Sequence, residues 1–286
     1  MFRPLELALA VRFVRSRESG AFVSFVTWAS LVGVGLGVAA LITILSVMNG
    51  FEAESQERLL SLSGHATLAL ADGQAFDGAR LADAARHAPG VVGAAPRVEQ
   101  QALLVHGEDM APATLRGVDP DREESVTAMS SVLDHQTLAD LRGDDDRLFL
   151  GRSLAFQLHV VPGDDLTVMV PAVGADGTPE PRLRTFHVIG LFEAGLQDHD
   201  ATLAVGAVGD VASFAQVSGA TSVRLRYADP SAAPQAARRL AAQEGSYVVR
   251  DWTEENAGYF RAVRLEKTMM MLILLLVVAV AAFNIV

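Results

Sequence analysis

The chain has 286 residues, half of them apolar, with a mean hydropathy of +0.28 and 20% charged residues, so a membrane protein with a large wetted part is expected, at a length typical of about two domains. It contains no cysteine, which excludes a disulfide framework, a cysteine zinc site, a thiol nucleophile and acylation of the chain itself through cysteine. Residues 1–48 carry four arginines against two acids, whereas residues 49–267 carry 19 basic and 32 acidic residues, and so acidic a body makes nucleic acid an unsuitable partner.

The first 20 residues read as a cytoplasmic or interfacial helix, with Phe2, Leu5, Leu9 and Phe13 on one side and arginines placed to reach headgroups. AFVSFVTWASLVGVGLGVAALITILSVMNG, residues 21–50, then runs for 30 residues without an ionisable side chain. About 20 apolar helical residues cross a hydrocarbon core, so 21–48 is predicted to be a first transmembrane helix. It is too long for a signal-peptide core and lacks a small-residue cleavage site. The preceding arginine cluster orients it with the N-terminus cytoplasmic and the body exported. Ala29, Gly33, Gly37 and Ala40 share a helical stripe, which could serve close helix packing or reflect the general abundance of small residues in membrane helices.

Residues 49–267 form the exported body. HATLALADG reads as a strand and turn, FDGARLADAARHAPG as a helix and VVGAAPRVEQQALLVHG as strands, together a β-α-β unit. TSVRLRYADPSAAPQAARRLAAQEGSYVVRDW repeats that order, with strands at 222–227 and 247–250 around a helix at 232–243. The two units, about 65–117 and 220–252, are predicted to build one subdomain into which about 118–219 is inserted. The insert is predicted to be β-rich, with strands at 148–150, 166–170, 185–192 and 201–205 and helices at 135–142 and 152–159. A second span begins at 268–286, where 19 uncharged residues follow RLEKT. The expected fold class is therefore an α+β membrane protein in which transmembrane helices flank a large domain, cut within its second span.

Chemistry-bearing motifs are few. GRSLA at Gly151–Ala155 has the setting of a nucleophile elbow, but without a surrounding doubly wound pattern a plain strand-to-helix turn is the expected reading. GDDDR and LQDHDA carry acids without calcium or zinc spacing and are read as acidic loops on a solvated face. No metal or catalytic residue is assigned. No G-x-x-x-x-G-K-[ST] occurs, so any ATP that drives the protein is bound elsewhere. Residues 169–190, MVPAVGADGTPEPRLRTFHVIG, place two strand-like arms around a segment with Pro171, Pro179 and Pro181. Proline lowers the entropy of such a loop, and either a long hairpin loop or a partner-touching arm fits.

RPLELALAVRFVRSR, SVMNGFE at the first membrane junction, VMVP…FHVIG in the body and RLEKT…AAFNI at the second junction together resemble the lipoprotein-releasing transmembrane permeases of the LolC/LolE type, within the MacB-like ABC transporter permeases. The resemblance covers essentially the whole chain. It implies a four-span, multi-pass protein of the bacterial inner membrane whose periplasmic domain pairs a porter-like subdomain with an inserted β-rich one. It implies no cofactor of its own, and as partners a cytoplasmic ABC ATPase dimer that binds ATP, a second permease subunit in a homo- or heterodimer, a periplasmic lipoprotein carrier, acylated lipoproteins and membrane lipid. Val47, Met48 and Phe51 would contact lipid or substrate, and a hairpin with Pro171, Thr178, Pro179 and Arg184 would recruit the carrier. The alternatives are a MacB-like exporter or an FtsX-like mechanotransmission subunit without lipoprotein transport.

Overall fold

The computed structural model describes residues 35–50, 64–143, 146–172, 180–195, 197–255 and 257–285, together with the single positions 25, 28, 32, 33 and 178. Residues 35–50 form helix α1. Then follow β1 (Ala66–Leu70), α2 (Gly78–Arg86), β2 (Val91–His106), β3 (Asp109–Val118), β4 (Arg147–Gly151), α3 (Arg152–Gln157), β5 (Asp165–Val170) and β6 (Arg182–Phe192). The chain continues through α4 (Gln197–Thr202), β7 (Leu203–Ala207), α5 (Val208–Ala215), β8 (Ser222–Tyr227), α6 (Ala233–Glu244), β9 (Tyr247–Asp251), α7 (Trp252–Glu255) and α8 (Ala257–Ile285). Two units are distinguished, one comprising 57–255 and the other 1–56 with 256–286.

In the unit 57–255, the two predicted β-α-β pieces interleave. The strand order β2-β8-β1-β9 places β8 between β1 and β2, and β1 between β8 and β9, with each neighbouring pair antiparallel. This is the split β-α-β arrangement, in which neither piece completes a sheet without the other. Helix α2 buries Gly78, Leu81, Ala82 and Ala85, and α6 buries Ala233, Ala237, Leu240 and Ala241, spacings of three and four that put one apolar stripe on each helix. The Asp77 side chain accepts a hydrogen bond from the Arg80 amide at 3.0 Å and starts α2.

The remaining strands close a ring. Strand β2 pairs with β3 and β5 as well as β8, β3 pairs with β7, and the order β7-β4-β6-β5 returns to β2. The result is a six-stranded barrel that shares β2 with the split sheet. Leu104, Leu115, Leu148, Leu150, Leu166, Val168, Phe186 and Val188 form one core within it. A second core joins Phe149, Phe192, Leu203 and Val205 to Leu138 and Leu141.

Local details differ from the sequence reading where tertiary contacts intervene. The helix predicted at 135–142 is a single 3-10 turn, Leu138–Leu141, whose capping box joins Thr137 and Asp140. Residues Gln197–Thr202 are helical where a strand was expected from 201. Asp200 is no solvated acid: at 6% exposure, it accepts hydrogen bonds from the amides of Ala194 at 2.7 Å and Gly195 at 3.1 Å. GRSLA is a strand-to-helix turn, and a Cβ at Gly151 would lie 2.4 Å from the Asp200 carbonyl oxygen.

Among the described residues no helix is long and apolar enough to cross a membrane. In α8 no charged residue follows Lys267 up to Ile285, and Met271, Leu272, Leu275 and Leu276 are all exposed. The interfacial helix expected over the first 20 residues, and any continuation of α1 beyond residue 50, lie outside the described residues.

Phe149 is fully buried between the two walls of its core. Phe149→Ala is expected to destabilise the unit 57–255 by about 3–5 kcal/mol through lost burial and the cavity left behind, read as a lowered denaturant midpoint with unchanged slope.

Candidate functional site

Two regions concentrate groups capable of recognition. The first is the hairpin that joins β5 to β6. Its arms pair in register from Asp165↔His187 to Val170↔Arg182, and the Glu180 amide donates to the Ala172 carbonyl at 2.9 Å, closing the ladder just beyond them. Pro171 and Thr178 are exposed, as is Leu183 on the outward face of β6. Pro179 and 173–177 lie outside the described residues.

Arg184 points to the other face of its strand. Its guanidinium lies 3.1 Å from Asp146 Oδ1 and 3.4 Å from both the Asp210 carbonyl and Ser213 Oγ, and stacks 5.2 Å above the Phe214 ring. These contacts pin the base of the hairpin to α5 and to the segment before β4. The acidic GDDDR stretch thus supplies a structural ion pair through Asp146, whose φ of 45° also marks a tight turn.

The second region is the face of the split sheet opposite α2 and α6. Cross-strand register sets Arg250, Thr67, Arg224 and Ala95 in one row, and Val248, Ala69, Ser222, Arg97 and Val118 in the next. Glu99 and Arg116 form the row after that. Glu99 Oε1 lies 2.9 Å from Arg97 Nη2 and 2.8 Å from Arg116 Nε, and Glu255 Oε2 lies 3.4 Å from Arg224 Nη2. Burial alone would raise the Glu99 carboxyl, but Arg97, Arg116 and Arg224 together pull it down to about 2. Burial and the adjacent Arg97 lower Arg224 to about 9, against the opposing pull of Glu255. Burial, then Arg116 and Arg224, also hold His199 below its ordinary value. No group of three or more His, Asp or Glu among the described residues is placed to hold a metal ion.

Residues 27–243 match the model of the MacB-like periplasmic core domain. The chain is 38% identical to the lipoprotein-releasing system transmembrane protein LolC of Xylella fastidiosa, over all of this chain and 70% of that protein. The chain belongs to the LolC/LolE family of MacB-like permeases. It is 36% identical to LolC of Neisseria meningitidis over 99% of this chain and 69% of that one, and 27% identical to LolE of Haemophilus influenzae over 96% and 68%. Among solved structures it is similar to the periplasmic region of MacB from Actinobacillus actinomycetemcomitans, at 12% identity and a TM-score of 0.47 over 71% of this chain and 94% of that one.

The residues singled out in sequence for a LolC-type role fall in separate places. Val47 and Met48 lie in the last described turn of α1, the first exposed and the second half-buried; Phe51 and Ala29 lie outside the described residues. Among the described residues no atom lies within 4 Å of a Cβ added at Gly33, and Gly37 is half-buried on α1. Pro171 follows the paired arms of the hairpin, whereas Arg184 lies within them, opposite Val168. The charged face went unrecognised in the sequence, where Arg97, Glu99 and Arg224 lie in segments read simply as strands.

A carboxyl depressed in the folded state stabilises it above the ordinary carboxylate range, and that stability is lost as pH falls toward the folded value. The Glu99 contribution is thus present above about pH 4.5 and disappears between there and about pH 2. Glu99→Gln is expected to lower stability at pH 7 and to flatten its decline over that acid window, measured as denaturation midpoint against pH.

Proposed function

We propose that this chain is a permease subunit of an ABC transporter that extracts acylated lipoproteins from the outer leaflet of the bacterial inner membrane and passes them to a periplasmic carrier. The observation that carries the reading is the 36–38% identity to LolC proteins along essentially the whole chain. In this reading 21–48 and 268–286 enter the bilayer, the N-terminus is cytoplasmic, and the body is periplasmic. The uncharged, exposed surface of α8 beyond Lys267 supports it, since apolar side chains in that number are stable only against lipid or another apolar surface.

The chain brings no phosphate-binding loop, so a separate cytoplasmic ATPase dimer supplies the work, and a second permease subunit completes the pathway. Coupled work is required because each acyl CH₂ withdrawn from the bilayer costs about 0.8 kcal/mol. Val47, Met48 and Phe51 are assigned to contact with acyl chains, where methionine adapts its shape to varied apolar partners. Gly33 and Gly37, with Ala29, are assigned to close packing with another helix.

The β5–β6 hairpin is assigned to carrier recruitment through Pro171, Thr178 and Pro179, flanked by the exposed Leu183. Arg184 serves this role from behind: its bonds to Asp146, Asp210 and Ser213 fix the angle at which the hairpin leaves the barrel.

Reconstituted with its ATPase and partner permease, the protein is expected to release an acylated lipoprotein to the carrier only when ATP is present. No ATP-dependent release of any lipoprotein would refute the assignment. Deleting residues 173–179 is expected to cut carrier-dependent transfer at least tenfold while ATPase activity persists; undiminished transfer would remove the hairpin from recruitment. Met48→Glu is expected to reduce release several-fold without weakening carrier binding, measured by pull-down.

A further inference from the structure

Burying a guanidinium in a folded domain is costly unless its N–H groups are met by acceptors. On the charged face of the split sheet that condition fails. Arg97 and Arg224 are each 4% exposed, yet Arg97 Nε, Arg97 Nη1 and Arg224 Nε have no hydrogen-bond partner among the described residues. The paired nitrogens account for the acids at hand: Arg97 Nη2 uses Glu99 and Arg224 Nη2 uses Glu255. Glu99 is shared further with Arg116, so these two acids leave three of the arginine donors unmet.

Arg97 borders an open volume. A cavity of about 310 Å³ is lined by Arg97, Glu99, Arg250, Thr67, Thr221 and Ser222, among others. Arg97 is paired in register with Ser222, and Arg224 lies two residues further along the same strand, so both arginines rise from the same face. Arg250 is exposed at the rim and shares the row of Thr67 and Arg224. Arginine forks match phosphate and carboxylate oxygens. Here Arg97 and Arg250 bring separate guanidinium planes to one cavity, with the hydroxyls of Thr67 and Ser222 beside them. A tetrahedral oxyanion accepts from several directions at once, while a planar carboxylate accepts in one plane.

We propose that this cavity is a binding site for a phosphate-class oxyanion, either free phosphate or the phosphodiester of a lipid headgroup, held by Arg97 from beneath and by Arg250 at the rim. Glu255 is the internal competitor. It lines the same cavity, where it is held by Arg224 Nη2 and accepts from Thr67 Oγ1 at 3.1 Å, so its charge opposes an anion seated there. The site is independent of the transport assignment, because a binding measurement on the chain alone reads it.

The test uses the full chain in a nonionic detergent, with thermal unfolding followed at constant ionic strength. Inorganic phosphate, acetate and short-chain dihexanoyl phosphatidylglycerol are titrated separately. Phosphate or the short-chain lipid is expected to raise the midpoint saturably, by a few degrees at about a hundredfold excess over Kd, while acetate at equal concentration does not. A lower Kd for the lipid identifies the headgroup as the source, and a lower Kd for phosphate identifies the free ion. Arg97→Gln is expected to abolish the saturable shift. Should that variant fail to fold, the exposed Arg250→Gln is expected to weaken binding about five- to tenfold, and Glu255→Gln to tighten it several-fold. A shift that acetate reproduces, or one that Arg250→Gln and Glu255→Gln both leave unchanged, overturns the proposal.

Discussion

Strand β2 is the constraint on which the rest of the domain depends. Its first half pairs with β8, its second half with β3 on one side and β5 on the other. One continuous backbone therefore supplies hydrogen bonds to both the split sheet and the barrel. Loss of its register would unpair both at once, since a slip of one residue would turn every side chain of β2 to the opposite face. The alternation that enforces the register is visible where Ala102 and Leu104 turn inward and Leu103 and Val105 outward.

That shared strand also explains how charge comes to be buried. Arg97 and Glu99 stand where β2 passes from one sheet to the other. At that crossing a residue on the polar side is covered by elements from elsewhere in the chain instead of by water. Glu99 becomes the bridge between Arg97 and Arg116 because both cations have lost solvent and need the same acceptor. The arginines around it keep Glu99 ionised, and its charge in turn makes their burial tolerable.

Much of the domain was legible in the sequence because local patterns carried it. Strand β8 falls on residues 222–227 as alternation and the Asp229-Pro230 turn require, and α6 starts within a residue of its expected place with Pro234 in its first turn. The helix predicted at 135–142 failed because packing, not periodicity, decides that segment: Leu138 and Leu141 serve a core that needs only one turn. Barrel closure was not legible, since the pairing of β3 with β7 joins residues about ninety positions apart with no local signature. For the same reason the charged face was hidden. Arg97, Arg116, Arg224 and Arg250 become neighbours only through register, and nothing near any one of them announces burial.

The end of the domain carries a different lesson. Asp251, at 1% exposure, accepts from the amides of Thr253 and Glu254 while pairing with Arg238, which also reaches Glu254. The Trp252 indole donates to the Pro230 carbonyl at 3.0 Å, and the Trp252 amide to that of His65. Within five residues of its exit the chain is therefore fastened to α6, to the turn before it and to the start of β1. A pull applied along the backbone from residue 257 onward would not peel β9 away one hydrogen bond at a time. It would be shared in parallel among these anchors, so the domain would answer such a pull by turning as a body before it unravelled.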